Sequence, residues 1–211
     1  MDISRALAQS ILATKSDAII ATDRDGVTTR AAMANAFYTI GHAKLPIAQF
    51  VGLLTAAGAD FVVDVRAFPR SRSNPQFNAD TLPPALAASG IGYEHVAELG
   101  GRRRRQPDVP PERNAFWTNV SFHNYADYAE SAAFRAGFAR LLELGRRRRC
   151  AVMCAEAVWW RCHRRLIADY LIARGERVLH IMPDGRLAPA QLTPGARPCP
   201  DGTLAYPAAV A

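Results

Sequence analysis

Strand-length apolar runs alternate with helix-like segments between residues 36 and 183, and this rhythm restricts the chain to an α/β fold: a mostly parallel sheet of about five strands, covered on both faces. The clearest run is DFVVDVR at 60–66, where Phe61, Val62, Val63 and Val65 are almost continuous, as in a strand buried on both sides. Further strands are expected at 36–41, 93–99, 150–154 and 176–182. Helices are expected at 46–57, 81–89, 124–145 and 161–174, the last ending at Gly175. Three parts follow. Residues 1–35 form a weakly structured extension, 36–183 the α/β domain, and 184–211 an irregular tail rich in proline and glycine. The stretch 100–120 lacks periodicity, and connections that long are usually functional.

Composition narrows the class. No apolar run approaches the roughly 20 residues that span a bilayer, so no membrane segment is expected. The opening residues do not read as a secretory signal, which points to the cytoplasm. In a reducing compartment Cys150, Cys154, Cys162 and Cys199 are expected as free thiols. The formal charge of +7 comes almost wholly from arginine, since Lys15 and Lys44 are the only lysines. Such a balance favours phosphate-bearing partners, either a small ligand or nucleic acid. Arginine runs at 102–105 and 146–149 are read as solvated charge. Nothing in the sequence indicates an oligomeric state.

In open parallel sheets ligands bind beyond the carboxyl ends of the strands, and here those positions are polar. His42 follows the first strand. Asp64 and Arg66 close the second and lead to Arg70, Arg72 and Asn74; Gly100 and Gly101 follow the third. Asp64 and Arg66 are two apart, hence on one side of a strand, where they can pair with each other. The densest cluster surrounds the fourth strand and the next helix. There Cys154, Glu156, Cys162, His163 and Arg164 combine two thiols, a carboxylate, an imidazole and a guanidinium. A strand-to-helix turn favours anions and can depress a thiol pKa, and a carboxylate in a dry pocket can be tuned for proton transfer. His42, Asp64, Arg66, Cys154, Glu156 and His163 are therefore expected to line one cavity. Adjacent Cys162 and His163, eight residues beyond Cys154, match none of the usual zinc spacings, so no metal is expected.

The stretches YTIGHA (38–43), VDVRAFPRSRSNPQFN (63–78), GIGYEHVAELGG (90–101), FHNYADYA (122–129), MCAEAVWWRCHR (153–164) and VLHI (178–181) occur in order, and together they resemble the family "domain of unknown function 488". The resemblance implies a Rossmann-like three-layer sandwich and brings no activity. Asp64, Arg66, Cys154, Glu156, Cys162, His163 and Arg164 all match the pattern. Ala43 departs from it where serine is usual, as do His123 and Asn124 for Arg-Gly and Trp159 for proline. Residues 17–29 are similar to the opening of a PAS sensor domain but stop far short of one. They read as a fusion remnant or an overlong gene start, with Met33 the more natural beginning.

The favoured reading is an enzyme that hydrolyses, or transfers a group from, a nucleotide or other phosphate-bearing substrate. In it Glu156, Cys154, Cys162, His163 and Asp64 carry the chemistry; His42, Arg66, Arg70, Arg72, Asn74, Gly100, Gly101, Tyr125 and Arg164 hold the substrate. The alternatives are a nucleic-acid-binding module without catalysis and a metal-binding or redox protein. No Walker A, GxGxxG, HExxH or serine-triad motif names a reaction, and the cofactor is unknown from sequence.

Overall fold

The computed structural model describes residues 36–208 and, by backbone alone, 21–22 and 28–29. The chain divides into two units, 1–34 and 35–211. In the first, Ala21 and Thr22 pair antiparallel with Thr29 and Thr28. The rest of the PAS-like stretch, and the expectation of a weakly structured extension before Met33, lie outside the described residues.

The second unit is built on a six-stranded sheet. Its strands are β1 (Phe37–Gly41), β2 (Phe61–Asp64), β3 (Gly92–His95), β4 (Cys150–Cys154), β5 (Val178–Ile181) and β6 (Leu187–Pro189). Their spatial order is β3-β2-β4-β1-β5-β6, with the first five parallel and β6 antiparallel to β5. Helices α1 (Ile47–Ala57), α2 (Leu82–Ala87), α3 (Val120–Tyr128), α4 (Ala132–Arg147) and α5 (Arg164–Ala173) complete a Rossmann-like α/β sandwich. Each strand's side chains alternate between two cores. Tyr38, Ile40, Val62, Ala151 and Met153 meet Phe50 and Leu54 of α1 and Leu82 and Leu86 of α2. Phe37, Val63, Val65, Cys150, Val152 and Cys154 face α3, α4 and α5 on the other side.

The helix expected at 124–145 is two helices. Ser131 interrupts it, its hydroxyl accepting the Phe134 amide at 3.1 Å as an N-cap. The last helix begins at Arg164 rather than 161, which leaves Cys162 and His163 at its entrance. The segment after Pro183 is not irregular throughout. It adds β6 and a hairpin of β7 (Arg197–Pro198) and β8 (Leu204–Ala205), and it buries Ala196, Leu204 and Tyr206 against the α3–α5 core. No helix among the described residues is long and apolar enough to cross a membrane.

Topology fixes where a site can form. The chain leaves β1 for α1 on one face and leaves β4 for α5 on the other, although β1 and β4 are neighbours with Gly41 opposite Cys154. The crevice between their carboxyl ends is therefore the switch point at which such sheets bind ligands.

Candidate functional site

Asp64 and Glu156 lie beyond the same, carboxyl edge of the sheet, since β2 and β4 run parallel with Asp64 opposite Met153. The expected single cavity nevertheless divides in two. Alternation sends Asp64 to the α1–α2 face and Cys154 to the α3–α5 face, giving two clusters back to back.

On the first face Asp64 and Arg66 pair, as their spacing allows. The Asp64 carboxylate, fully buried, accepts Arg66 Nε at 2.9 Å and Nη2 at 2.6 Å, the Arg66 amide at 3.0 Å and the Tyr93 hydroxyl at 2.8 Å. Arg66 Nη2 also donates to the Phe77 carbonyl. His42 stacks on Phe77 with centroids 4.1 Å apart, holds the Ala43 carbonyl through Nδ1 at 2.9 Å, and meets Arg66 Nη1 at 3.4 Å. Burial first, then Arg66, pushes the His42 imidazole down to about 4, so the ring is neutral near pH 7. With its lone pairs occupied internally, Asp64 does not offer a free base, and four of the five Arg66 N–H donors are taken by Asp64, Phe77 and His42. Tyr93 was not legible as part of this network, because the bond depends on the β2–β3 register rather than on sequence spacing.

The second face carries the thiols. Cys154 ends β4, and Cys162 is extended (φ −130°, ψ 147°) before His163 turns into α5 (φ −57°, ψ −16°), so both sulfurs and the imidazole converge. His163 Nδ1 lies 3.6 Å from Cys162 Sγ and 3.9 Å from Cys154 Sγ. Its Nε2 meets the Val65 carbonyl at 2.9 Å; a carbonyl only accepts, so Nε2 carries the proton. Arg164, 1% exposed, donates Nε–H to Cys162 Sγ at 3.3 Å and Nη2–H to the Glu156 carbonyl at 2.6 Å. No carboxylate among the described residues pairs with it. Burial opposes ionisation of Cys162, but the hydrogen bond from Cys154, the charge of Arg164 and the neighbouring His163 imidazole outweigh it and hold that thiol well below the ordinary range. The same hydrogen bond, then burial, raises Cys154 well above it. Of the two thiols, Cys162 is the one its surroundings favour as the anion.

Two glycines permit this packing. A Cβ on Gly41 would sit 1.9 Å from the Glu156 carbonyl and 2.9 Å from Arg164 Nη2, and one on Gly101 would sit 2.8 Å from His163 Nδ1. Gly100 gives its amide to Ala97 at 2.9 Å, so its part is close approach rather than ligand binding. Tyr125 is a wall: its ring lies 5.0 Å from His163 and its hydroxyl is held by the Leu99 carbonyl at 2.8 Å.

Glu156 departs from expectation. Its side chain is exposed rather than set in a dry pocket, and its carbonyl, not its carboxylate, meets Arg164. Arg70 and Arg72 are exposed in the loop after β2, and Asn74 is half-buried there. The two arginine runs do not join. Arg103 folds back onto the carbonyls of Ala97, Glu98 and Gly100 and over the Tyr128 ring at 3.8 Å. Arg148 and Arg149 instead clasp Asp60, just before β2, at the amino edge. Two cavities, of about 110 Å³ between α4 and α5 and about 260 Å³ beside α3, are lined by neither the thiols nor Arg164.

One family model matches the chain over residues 46–171, more than half of its length; it is described as "Domain of unknown function DUF488". No curated protein and no solved structure matches the chain.

Proposed function

Because the chain belongs to the DUF488 family, whose description assigns no activity, we propose a function from the chemistry of its carboxyl edge: a cytoplasmic enzyme that hydrolyses, or transfers a group from, a nucleotide or another phosphate-bearing substrate. The observation that carries this reading is the buried convergence of Cys154, Cys162, His163 and Arg164 at the switch point. A buried cation with no carboxylate beside it is costly for packing alone, and such groups gather where chemistry is done.

The roles follow from position. Cys162 and His163 supply the nucleophile or its activation. Glu156, exposed beyond the end of β4, is placed to exchange a proton with solvent and substrate. Arg70 and Arg72, exposed and without ion-pair partners among the described residues, rise from the same edge and suit phosphate oxygens. Asp64, Arg66 and His42 brace the edge from the opposite face.

The test starts from the protein as purified. Small molecules released on denaturation are identified by mass spectrometry and returned, with a panel of nucleotides and phosphate esters, to fresh protein. The reading expects one phosphate-bearing compound to bind and be converted, with conversion lost in Cys162→Ser. Salt-sensitive binding of DNA or RNA, unchanged in Cys162→Ser and without conversion of any compound, would replace it with the nucleic-acid-binding module.

A further inference from the structure

We propose that Cys154, Cys162 and His163 form a zinc site of two thiolates and one imidazole, with the fourth coordination position open. Their ligand atoms, Sγ, Sγ and Nδ1, all lie within 4.8 Å of one another. Zinc–sulfur bonds near 2.3 Å and zinc–nitrogen bonds near 2.0–2.1 Å at tetrahedral angles put sulfur and nitrogen about 3.6 Å apart. The two sulfur–nitrogen separations here are 3.6 Å and 3.9 Å, within a few tenths of an ångström of that value.

A second observation concerns the far side of the ring. A ligating histidine donates its other N–H to a carboxylate or carbonyl, which fixes the tautomer and aims the free lone pair at the metal. His163 does this through Nε2 to the Val65 carbonyl at 2.9 Å, and Tyr125 and Gly101 pack against the ring. Arg164 donates Nε–H to Cys162 Sγ at 3.3 Å, as an N–H donor to a coordinated sulfur does. The ligands come from a strand end and a helix entrance, both rigid. Zinc loops space their ligands a few residues apart, but here an extended Cys162 is followed at once by a helical His163, which turns adjacent side chains to one point.

Two thiolates and a neutral imidazole around a dication leave the site neutral beside Arg164. Binding releases to solvent whatever protons the two thiols and His163 Nδ1 hold. Three protein ligands and an open position are the arrangement of a catalytic rather than a structural zinc. Where this meets the function proposed above, and resting on that reading, the open position would hold the water whose oxygen attacks the substrate. Metal binding itself does not depend on it.

The test uses the full chain, stripped with a chelator and titrated with zinc(II) or cobalt(II) alone. One ion per chain is expected, and the cobalt form should show thiolate-to-metal charge transfer in the near ultraviolet with intense tetrahedral d–d bands. Cys154→Ser, Cys162→Ser and His163→Gln should each weaken affinity at least about tenfold, in line with the sensitivity of metal sites to their ligand shells. Cys150→Ser and Cys199→Ser should leave it unchanged. Absence of saturable binding to folded protein, or a cobalt spectrum without thiolate charge transfer, overturns the proposal; the spectrum decides on wild type even if a ligand variant fails to fold. Metal-free protein that still converts a phosphate ester and stops when Cys162 is alkylated would overturn the zinc site alone. Stoichiometric zinc without conversion of any compound would uphold the site and overturn the enzyme.

Discussion

Arg164 and Cys162 are bound guanidinium to sulfur at 3.3 Å, in a place where the arginine is 1% exposed. The same side chain crosses to the Glu156 carbonyl at 2.6 Å, so one fork ties the entrance of α5 to the loop that follows β4. Removing it strands a buried sulfur and an unpaired carbonyl. Arg164→Met should cost about 1–3 kcal/mol, the scale for leaving a buried hydrogen-bonding group unsatisfied. Arg164→Lys should recover less than half, because an ammonium lacks the planar fork. Chemical denaturation of the two variants beside wild type checks this; a methionine variant as stable as wild type would mean the fork holds nothing.

The Asp64–Arg66 pair makes a different demand. Each single substitution, Asp64→Leu or Arg66→Met, should destabilise by about 3–5 kcal/mol, and the double variant should recover much of that, because no buried charge is left alone. A double-mutant cycle by urea unfolding gives the coupling. Additive losses would show that the two side chains act separately.

Stability should fall as pH drops from 7 to 5. Burial, then Arg66 for His42 and Arg164 for His180, brings both histidines from the ordinary 6.5 down to about 4. The unfolded chain therefore takes up two protons below pH 6.5 that the folded chain refuses until about pH 4. Asp169 works the other way: burial raises it from 3.8 to about 6, so the folded chain takes that proton first and gains on acidification. Two losses against one gain leave a net slope of about 1.4 kcal/mol per pH unit near pH 5. His180→Gln should roughly cancel it. Unfolding free energies measured at pH 7, 6 and 5 that rise on acidification would reverse the assignment.

The sheet was legible because buried parallel strands must be apolar in near-continuous runs, as Phe61, Val62, Val63 and Val65 are. The break between α3 and α4 was not, since apolar residues keep a helical period through Ser131 and only its cap shows the stop. Strand β6 escaped notice because it lies at the sheet edge, where Pro189 is tolerated. In the site, the gathering of Cys154, Cys162, His163 and Arg164 followed from their places around one strand-to-helix turn. The separation of Asp64 from Cys154 was written in the alternation of Val62, Val63, Asp64 and Val65, but only the covering helices say which face is which. That Glu156 gives its carbonyl to Arg164 and its carboxylate to solvent depends on a loop conformation no spacing rule supplies.

Proton transfer at this edge falls to Glu156, and Glu156→Gln separates chemistry from binding. The side chain is exposed, so the substitution should change stability by no more than about 0.5 kcal/mol. Proton transfer by a positioned carboxylate contributes about 100-fold or more, so steady-state turnover of the phosphate-bearing compound identified from native protein should fall by at least that factor. Affinity for the compound should stay within about threefold of wild type, since a factor of three is less than 1 kcal/mol. Turnover, affinity and melting temperature measured together give the answer. A Glu156→Gln protein that turns the compound over at the wild-type rate, or that loses ligand and stability together, would contradict the account.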